Sequence, residues 1–145
     1  MICNNYYEMG SAKCPAEMRV TCYHKPRQSG RTSLLVNMFL LNPDDTLFIV
    51  YKEMQKENLL RIFPVLRGFE KNIISLHRII KNKGLIGRRV KNVLIDDYEV
   101  YSSFEKENLY ENLKPLLIEN VVIMEVPFSK VKTLKDEPNY REYKL

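Results

Sequence analysis

Arg27-Gln28-Ser29-Gly30-Arg31-Thr32 is the stretch on which the reading of this chain turns. A strand-like run, Arg19-Val20-Thr21-Cys22-Tyr23, precedes it. A helix-like run, Ser33-Leu34-Leu35-Val36-Asn37-Met38-Phe39-Leu40-Leu41, follows. Strand, short polar loop with glycine, hydroxyl residue and helix is the layout of a phosphate-binding loop, in which amides at a helix N-terminus face an anion. The usual pattern is Gly, four residues, then Gly-Lys-[Ser/Thr]. Here Lys25 stands at the first Gly position and Arg31 at the Lys position.

A second element lies downstream. Asn92-Val93-Leu94-Ile95-Asp96-Asp97 is a short apolar run ending in two carboxylates. Continuous Val, Leu and Ile mark a strand buried on both faces. Its carboxyl end is where open α/β sheets bind ligands. Asp96 is placed to hold the Mg²⁺ of a bound nucleotide, and Asp97 to orient an attacking water. The plainer alternative is a strand that ends in a polar Asp-Asp turn. The Gly30-Arg31-Thr32 loop upstream favours the site.

The chain has 145 residues, of which 45% are hydrophobic and 28% charged, as expected of one globular domain. No apolar run approaches the length of a membrane span. Met1 to Glu8 lacks the basic start and apolar stretch of a secretory signal. The expectation is an intracellular protein with no membrane partner, in the host cytoplasm if it is viral. Cys3, Cys14 and Cys22 are odd in number and irregularly spaced, unlike a disulfide framework. With His24 they number four zinc-type ligands, but no Cys-x-x-Cys pair is present, and Cys22 should face the core from its strand.

Net charge is +5, unevenly spread. Arg78, Lys81, Lys83, Arg88, Arg89 and Lys91 fall in one acid-free segment, whereas Asp96 to Glu111 holds six acids and one base. A basic loop at 78–91 could follow nucleic-acid phosphates, or be a solvated surface.

The remaining pattern alternates. Residues 1–17 read as a leader. Thr32–Leu41 predicts a helix, stopped by Asn42-Pro43-Asp44-Asp45. Thr46–Tyr51 predicts a strand, and Glu53–Phe63 a helix with Met54, Leu59, Ile62 and Phe63 inward. Ile73–Leu76 predicts a short strand. Ser102-x-x-Glu105 matches a capping box, followed by an apolar stripe at Leu109, Leu113, Leu116 and Leu117. Val121–Val126 predicts the last strand, and 131–145 reads as a charged tail. Strands alternating with helices predict an α/β domain over 18–130 with a mostly parallel sheet of about five strands, covered on both faces. Gly30-Arg31-Thr32, Asp96-Asp97 and Ser129 would then share one sheet edge.

In this order the features resemble the large terminase subunits, the ATPases that drive viral DNA packaging. Arg27–Thr32 is similar to their Arg-Gln-x-Gly-Lys-Thr loop. Leu47–Val50 with Gln55 and Asn58-Leu59-Leu60 looks like their second strand and helix. Gly84–Asp97 looks like their Gly-Arg loop running into the second acidic motif, and Val121–Ser129 like the strand after it. The resemblance implies a three-layer P-loop NTPase-like fold that takes ATP and Mg²⁺. It implies that Gln28, Ser29, Gly30, Arg31, Thr32 and Ser33 cradle phosphates. Thr32 and Asp96 would hold the metal, Arg27 and Asp97 would be catalytic, and Ser129 would couple hydrolysis to movement.

Two departures stand out. Arg31 replaces the loop lysine, and Asp97, one methylene shorter, stands where the family has a catalytic Glu. Arg is no conservative replacement for Lys at a crowded phosphate. The resulting expectation is a nucleotide-binding protein with weak or lost ATP hydrolysis, not a complete packaging motor. Its partners would be a nucleotide and double-stranded DNA or another viral protein, with a homo-oligomer left open. The alternative is a non-catalytic P-loop scaffold that binds nucleic acid or protein. A nucleoside or nucleotide kinase is a third reading, but no Arg-rich lid follows the last helix.

Overall fold

The computed structural model of the chain describes residues 18–25, 30–82, 85, 87–125 and 138–144. Strand β1 (Arg19–His24) leads to helix α1 (Arg31–Leu41), β2 (Thr46–Val50), α2 (Glu53–Ile62) and β3 (Ile73–Ser75). Then come α3 (Leu76–Asn82), β4 (Asn92–Ile95), α4 (Ser103–Leu113), β5 (Asn120–Glu125) and β6 (Asn139–Lys144). The six strands form one sheet in the order β3-β2-β4-β5-β1-β6, and every pairing is parallel. The expected α/β fold with a parallel sheet is therefore present, with one more strand than the sequence reading counted.

Alternation along the strands builds two cores. On one face, Val20, Cys22, Leu47, Ile49, Val93, Ile95, Val121 and Ile123 pack with α3 and α4 through Ile79, Leu109 and Leu113. On the other, Phe48, Val50, Leu94 and Met124 pack with α1 and α2 through Leu35, Val36, Phe39, Leu59 and Leu60. The sheet is thus the middle of three layers. Each core side chain that is fully buried contributes roughly 1.5–3 kcal/mol of hydrophobic stabilisation. Cys22 is buried, as its strand position required.

Helix ends are fixed by local chemistry. Pro43 follows the C-cap Asn42 of α1, whose backbone N–H donates to Phe39 O. The capping box of α4 is present: Glu105 N donates to Ser102 Oγ at 3.1 Å, and Ser102 N donates to Glu105 Oε1 at 2.9 Å. Gln55 accepts from Lys52 N at 2.8 Å and does the same for α2.

Four expectations are corrected. Leu76, read as the end of a strand, and residues 78–82, read as the start of a basic loop, belong to helix α3, anchored by Leu76 and Ile79. In α2 the inward residues are Leu59 and Leu60; Met54 and Ile62 are exposed, because the helix turns its 59–60 side to the sheet. Leu117 is exposed because α4 ends at Leu113 and the 3-10 turn that follows, Lys114–Leu116, closes on a left-handed residue there, φ 55°. Residues 139–144, placed in a charged tail, form edge strand β6 against β1. The expected leader, residues 1–17, lies outside the described residues.

Behind the carboxyl edge, Tyr51 stacks on Tyr101 with ring centroids 5.4 Å apart, and Tyr101 meets Tyr98 at 5.3 Å. Lys106 is buried with its ammonium 4.5 Å from the Tyr98 ring centroid. The buried Tyr101 hydroxyl has no hydrogen-bond partner among the described residues. Burial first, and then Asp96, Tyr98, Asp97 and Glu105, hold its ionisation well above the ordinary tyrosine range.

An unsatisfied buried hydroxyl destabilises, so Tyr101→Phe should raise stability by about 1 kcal/mol at neutral pH in urea denaturation. The pH dependence has a definite sign. A raised folded-state pKa leaves stability intact below the unfolded value of about 10 and removes it as pH climbs toward the folded one. Tyr101→Phe should therefore lose less stability than the parent above about pH 10. Equal alkaline slopes in the two proteins would count against the assignment.

Candidate nucleotide-binding site

The candidate site lies at the carboxyl edge of the sheet, and topology explains how two distant segments meet there. β5 sits between β1 and β4, so the loop after β1 and the acids after β4 emerge two strands apart. Helix α1 crosses above them on its way to β2. Its first residues are brought over the end of β4, where Thr32 Oγ1 donates to Asp96 Oδ2 at 2.8 Å.

Two backbone turns set the geometry. Gly30 is the N-cap of α1 with φ 84°, a left-handed conformation that glycine adopts without strain. A Cβ there would meet nothing within 4 Å, so the dihedral alone favours glycine. The Gly30 carbonyl accepts from Leu34 N at 3.0 Å, the first bond of the helix. Asp97 is also left-handed, φ 53° and ψ 38°, a region where Asp is enriched among non-glycine residues. Its N–H donates to Asp96 Oδ1 at 2.9 Å, which pins the Asp96 carboxylate.

Arg31 is the centre of the site. Its Nη2 lies 2.6 Å from Asp97 Oδ1, 3.2 Å from Glu99 Oε2 and 3.6 Å from Asp96 Oδ1. Its Nη1 donates to the Lys25 carbonyl at 3.3 Å. The side chain is only 4% exposed, against 10% for Asp96, 9% for Glu99 and 36% for Asp97. The guanidinium therefore points inward at carboxylates.

The donor set can be compared with what a nucleotide's Mg²⁺ would need. That ion requires several oxygens near 2.0–2.1 Å in octahedral array. Both oxygens of Asp96 are engaged, one by Thr32 and one by the Asp97 amide, and Asp97 is engaged by Arg31. Among the described residues no group of three or more His, Cys, Asp or Glu is arranged to hold a metal ion. With Arg31 in place the residues do not fit the ion.

Beside the acids is a pocket of about 350 Å³, lined by Thr32, Asp96, Asp97, Gln55 and Asn58 on its polar side and by Val50, Leu59, Ile62 and Phe63 on its apolar side. Gln55 and Asn58, singled out in the sequence, thus reach the same edge. Glu99 was not singled out. It belonged to a long acidic run, and only its position two residues after Asp97 hinted that it would turn back to Arg31.

Of the other expected site residues, Ser33 is exposed in the first turn of α1. Arg27, Gln28, Ser29, Lys83 and Ser129 lie outside the described residues. The basic residues do not join this edge as one stripe. Arg78 is on α3, with Nε 3.9 Å from Glu53 Oε2, and Lys81 is in the last turn of the same helix. Lys91 is at the opposite, amino edge, where its N–H donates to Asp45 O and its carbonyl accepts from Glu119 N and Asn120 N. Arg88 donates to the Lys71 carbonyl at 2.7 Å. Arg88, Arg89 and Lys91 line one wall of a groove of about 1190 Å³; Glu107, Glu111, Phe104 and Leu117 line the rest.

No family profile matches this sequence, and no curated protein matches it. Among solved structures, the helicase domain of Pyrococcus furiosus Hef superposes with a TM-score of 0.57 at 13% identity, over 90% of this chain and 35% of that one. The C-terminal domain of a possible DNA helicase from Lactobacillus plantarum WCFS1 superposes with a TM-score of 0.50 at 15% identity, over 86% of this chain and 84% of that one. The chain spans about a third of the Hef structure it matches. At these identities the likeness establishes the fold: an α/β domain similar to those of helicases.

Removing Arg31 strips a buried counter-charge from three carboxylates. Arg31→Ala should cost about 3 kcal/mol in chemical denaturation, since breaking a buried ion pair from one side is worth about 3–5 kcal/mol and Asp97 is partly solvated. Thr32→Val, which removes one neutral-to-charged hydrogen bond, should cost about 1.5–3 kcal/mol. A loss below about 0.5 kcal/mol for Arg31→Ala would mean that the ion pairs are exposed and weak.

Proposed function

We propose that this domain binds ATP at the carboxyl edge of its sheet, in the manner of P-loop proteins, with weak or lost hydrolysis, and works with nucleic acid. The observation that carries the reading is the Thr32–Asp96 hydrogen bond beneath the left-handed Gly30 turn. A hydroxyl residue at the start of the helix after the first strand, tied to an acid at the end of a second parallel strand, is the framework on which phosphate-binding loops are built. The helicase-like fold supports this, and it is the reason to name nucleic acid as the partner. Gly30, Thr32 and Ser33, together with the backbone amide of Arg31, are the described groups offered to phosphate, and Gln28 and Ser29 complete the loop in sequence. A relation to viral DNA-packaging ATPases is the finer form of the proposal; it rests on the shared order of Gly30-Arg31-Thr32, Gln55 and Asp96-Asp97.

Weak hydrolysis follows from what Asp97 touches. A carboxylate 2.6 Å from a guanidinium is a poor acceptor for a proton from water, because the cation stabilises its charged form. Misplacement of a reacting group by about 1 Å can cost about a hundredfold in rate.

A second reading is favoured by the groove at the amino edge. Its walls carry opposite charges and exposed apolar side chains, Phe104 and Leu117, which suits a polypeptide better than a uniformly negative polymer. On that reading the domain is a non-catalytic scaffold whose partner is a protein.

Calorimetric titration should detect ATP or ADP at or below about millimolar Kd, and saturating ligand should raise Tm by mass action. No heat and no shift at that concentration would leave only the scaffold. ATP turnover by the parent should be slow, and Arg31→Lys combined with Asp97→Glu should increase it; brisk turnover that the double change abolishes would refute the account of Asp97. For the partner, Arg88→Ala with Arg89→Ala should weaken duplex binding and flatten its salt dependence by up to about two units, one per lost phosphate contact. Unchanged nucleic-acid binding in that variant would favour a protein at the groove.

A further inference from the structure

We infer that the Arg31 guanidinium takes the place of the divalent cation at this edge, so that the domain binds its ligand without a metal. The inference deepens the nucleotide reading in one of its two tests and stands without it in the other.

The argument is one of geometry and charge. A single nitrogen, Nη2, lies within ion-pair distance of Asp96, Asp97 and Glu99 at once. That is the position a cation shared by these carboxylates would occupy. Arg31 is held there from behind, since Nη1 donates to the Lys25 carbonyl and the side chain is buried. A buried guanidinium in an ion-pair network does not leave cheaply, because each carboxylate it abandons loses a close opposite charge. Mg²⁺, in turn, gives up its water reluctantly and gains only where carboxylate oxygens stand free. Here the Asp96 oxygens already accept from Thr32 Oγ1 and Asp97 N–H. A lysine in the same position would carry its charge on one compact ammonium with a rotatable stem; the planar fork of arginine can serve separate acceptors together.

The test uses Mn²⁺, a paramagnetic ion with the same preference for octahedral oxygen ligands. Electron paramagnetic resonance on the whole chain without nucleotide should show no Mn²⁺ bound at concentrations up to about 1 mM, whereas Arg31→Met, which removes the positive charge that Asp96, Asp97 and Glu99 share, should bind it at least about tenfold more tightly. Because Arg31→Met can fail to fold, Arg31→Lys is measured beside it and should show a smaller gain of at least about threefold. Separately, the Kd of the parent for ATP should differ by less than about twofold between excess Mg²⁺ and excess chelator.

The inference is overturned if the parent binds Mn²⁺ at tens of micromolar, or if neither folded variant gains affinity over the parent. It is also overturned if the parent binds Mn²⁺ only when ATP is present, for then the guanidinium leaves the acids for the phosphate. If ATP binds under no condition, the nucleotide reading fails, and the nucleotide-free Mn²⁺ measurement still decides the role of Arg31.

Discussion

The guanidinium of Arg31, sealed among Asp96, Asp97 and Glu99, is the constraint that organises the carboxyl edge. It ties the first turn of α1 to the turn after β4, and those segments come from strands that do not touch. Without it, α1 would lose its ion-pair tie to the turn after β4, and Asp96, Asp97 and Glu99 would lose the positive charge they share. An ion cluster of this kind adds little net stability over a well-packed apolar substitute, because desolvation opposes the attraction. What it fixes is position. Apolar contacts tolerate a small slide of α1 along the sheet, but an arginine that must meet three acids does not.

The rest of the fold supplies the rigid frame for that contact. The central strands are short, and their side chains alternate between two cores, so neither face can slip by one residue without exposing its apolar set. β2 is buried at all five positions, and β4 at its last three. Rigid strand ends matter here because the acids of the site sit immediately beyond β4. The left-handed Asp97 then turns the chain back, carrying Glu99 toward Arg31 and starting the 3-10 turn at Tyr98–Val100. Behind it, Tyr98, Tyr101 and Tyr51 fill the space between the site and α4. Tyr51 also donates to Glu105, the capping residue of that helix, at 3.2 Å.

The parts legible in the sequence were those where one physical signal dominates. Thr46–Val50 and Asn92–Ile95 are unbroken apolar runs, and both are buried strands. Ser102 and Glu105 announce a helix start through a hydrogen-bond pattern that needs no tertiary context. Gly30 announces a left-handed turn. What was hidden lacked such a signal. Helix α3 is short, with its apolar anchors outnumbered in the eye by the basic residues after them, so charge obscured its period. Strand β6 lies at the sheet edge and is half-buried only at Asn139 and Tyr140, so it carries no apolar run. Lys106, the single base in an acidic stretch, is buried over Tyr98, and nothing local distinguishes it from a surface lysine. Glu99 and the inward turn of Arg31 depend on a meeting of segments more than sixty residues apart, which no local pattern encodes.

The two departures from the usual phosphate-loop pattern read differently once the side chains are placed. Taken one at a time, arginine for lysine and aspartate for glutamate each look like damage. Together they form one contact. The guanidinium is broader than an ammonium and extends farther from its backbone, and the shorter Asp97, turned back by its left-handed backbone, meets it at 2.6 Å. A glutamate at 97 would reach farther from the same backbone, into the space the guanidinium already fills. A lysine at 31 would offer one compact charge where three acids converge. Each substitution therefore suits the other. On the inference drawn above, the pair gives this edge a cation carried within the chain.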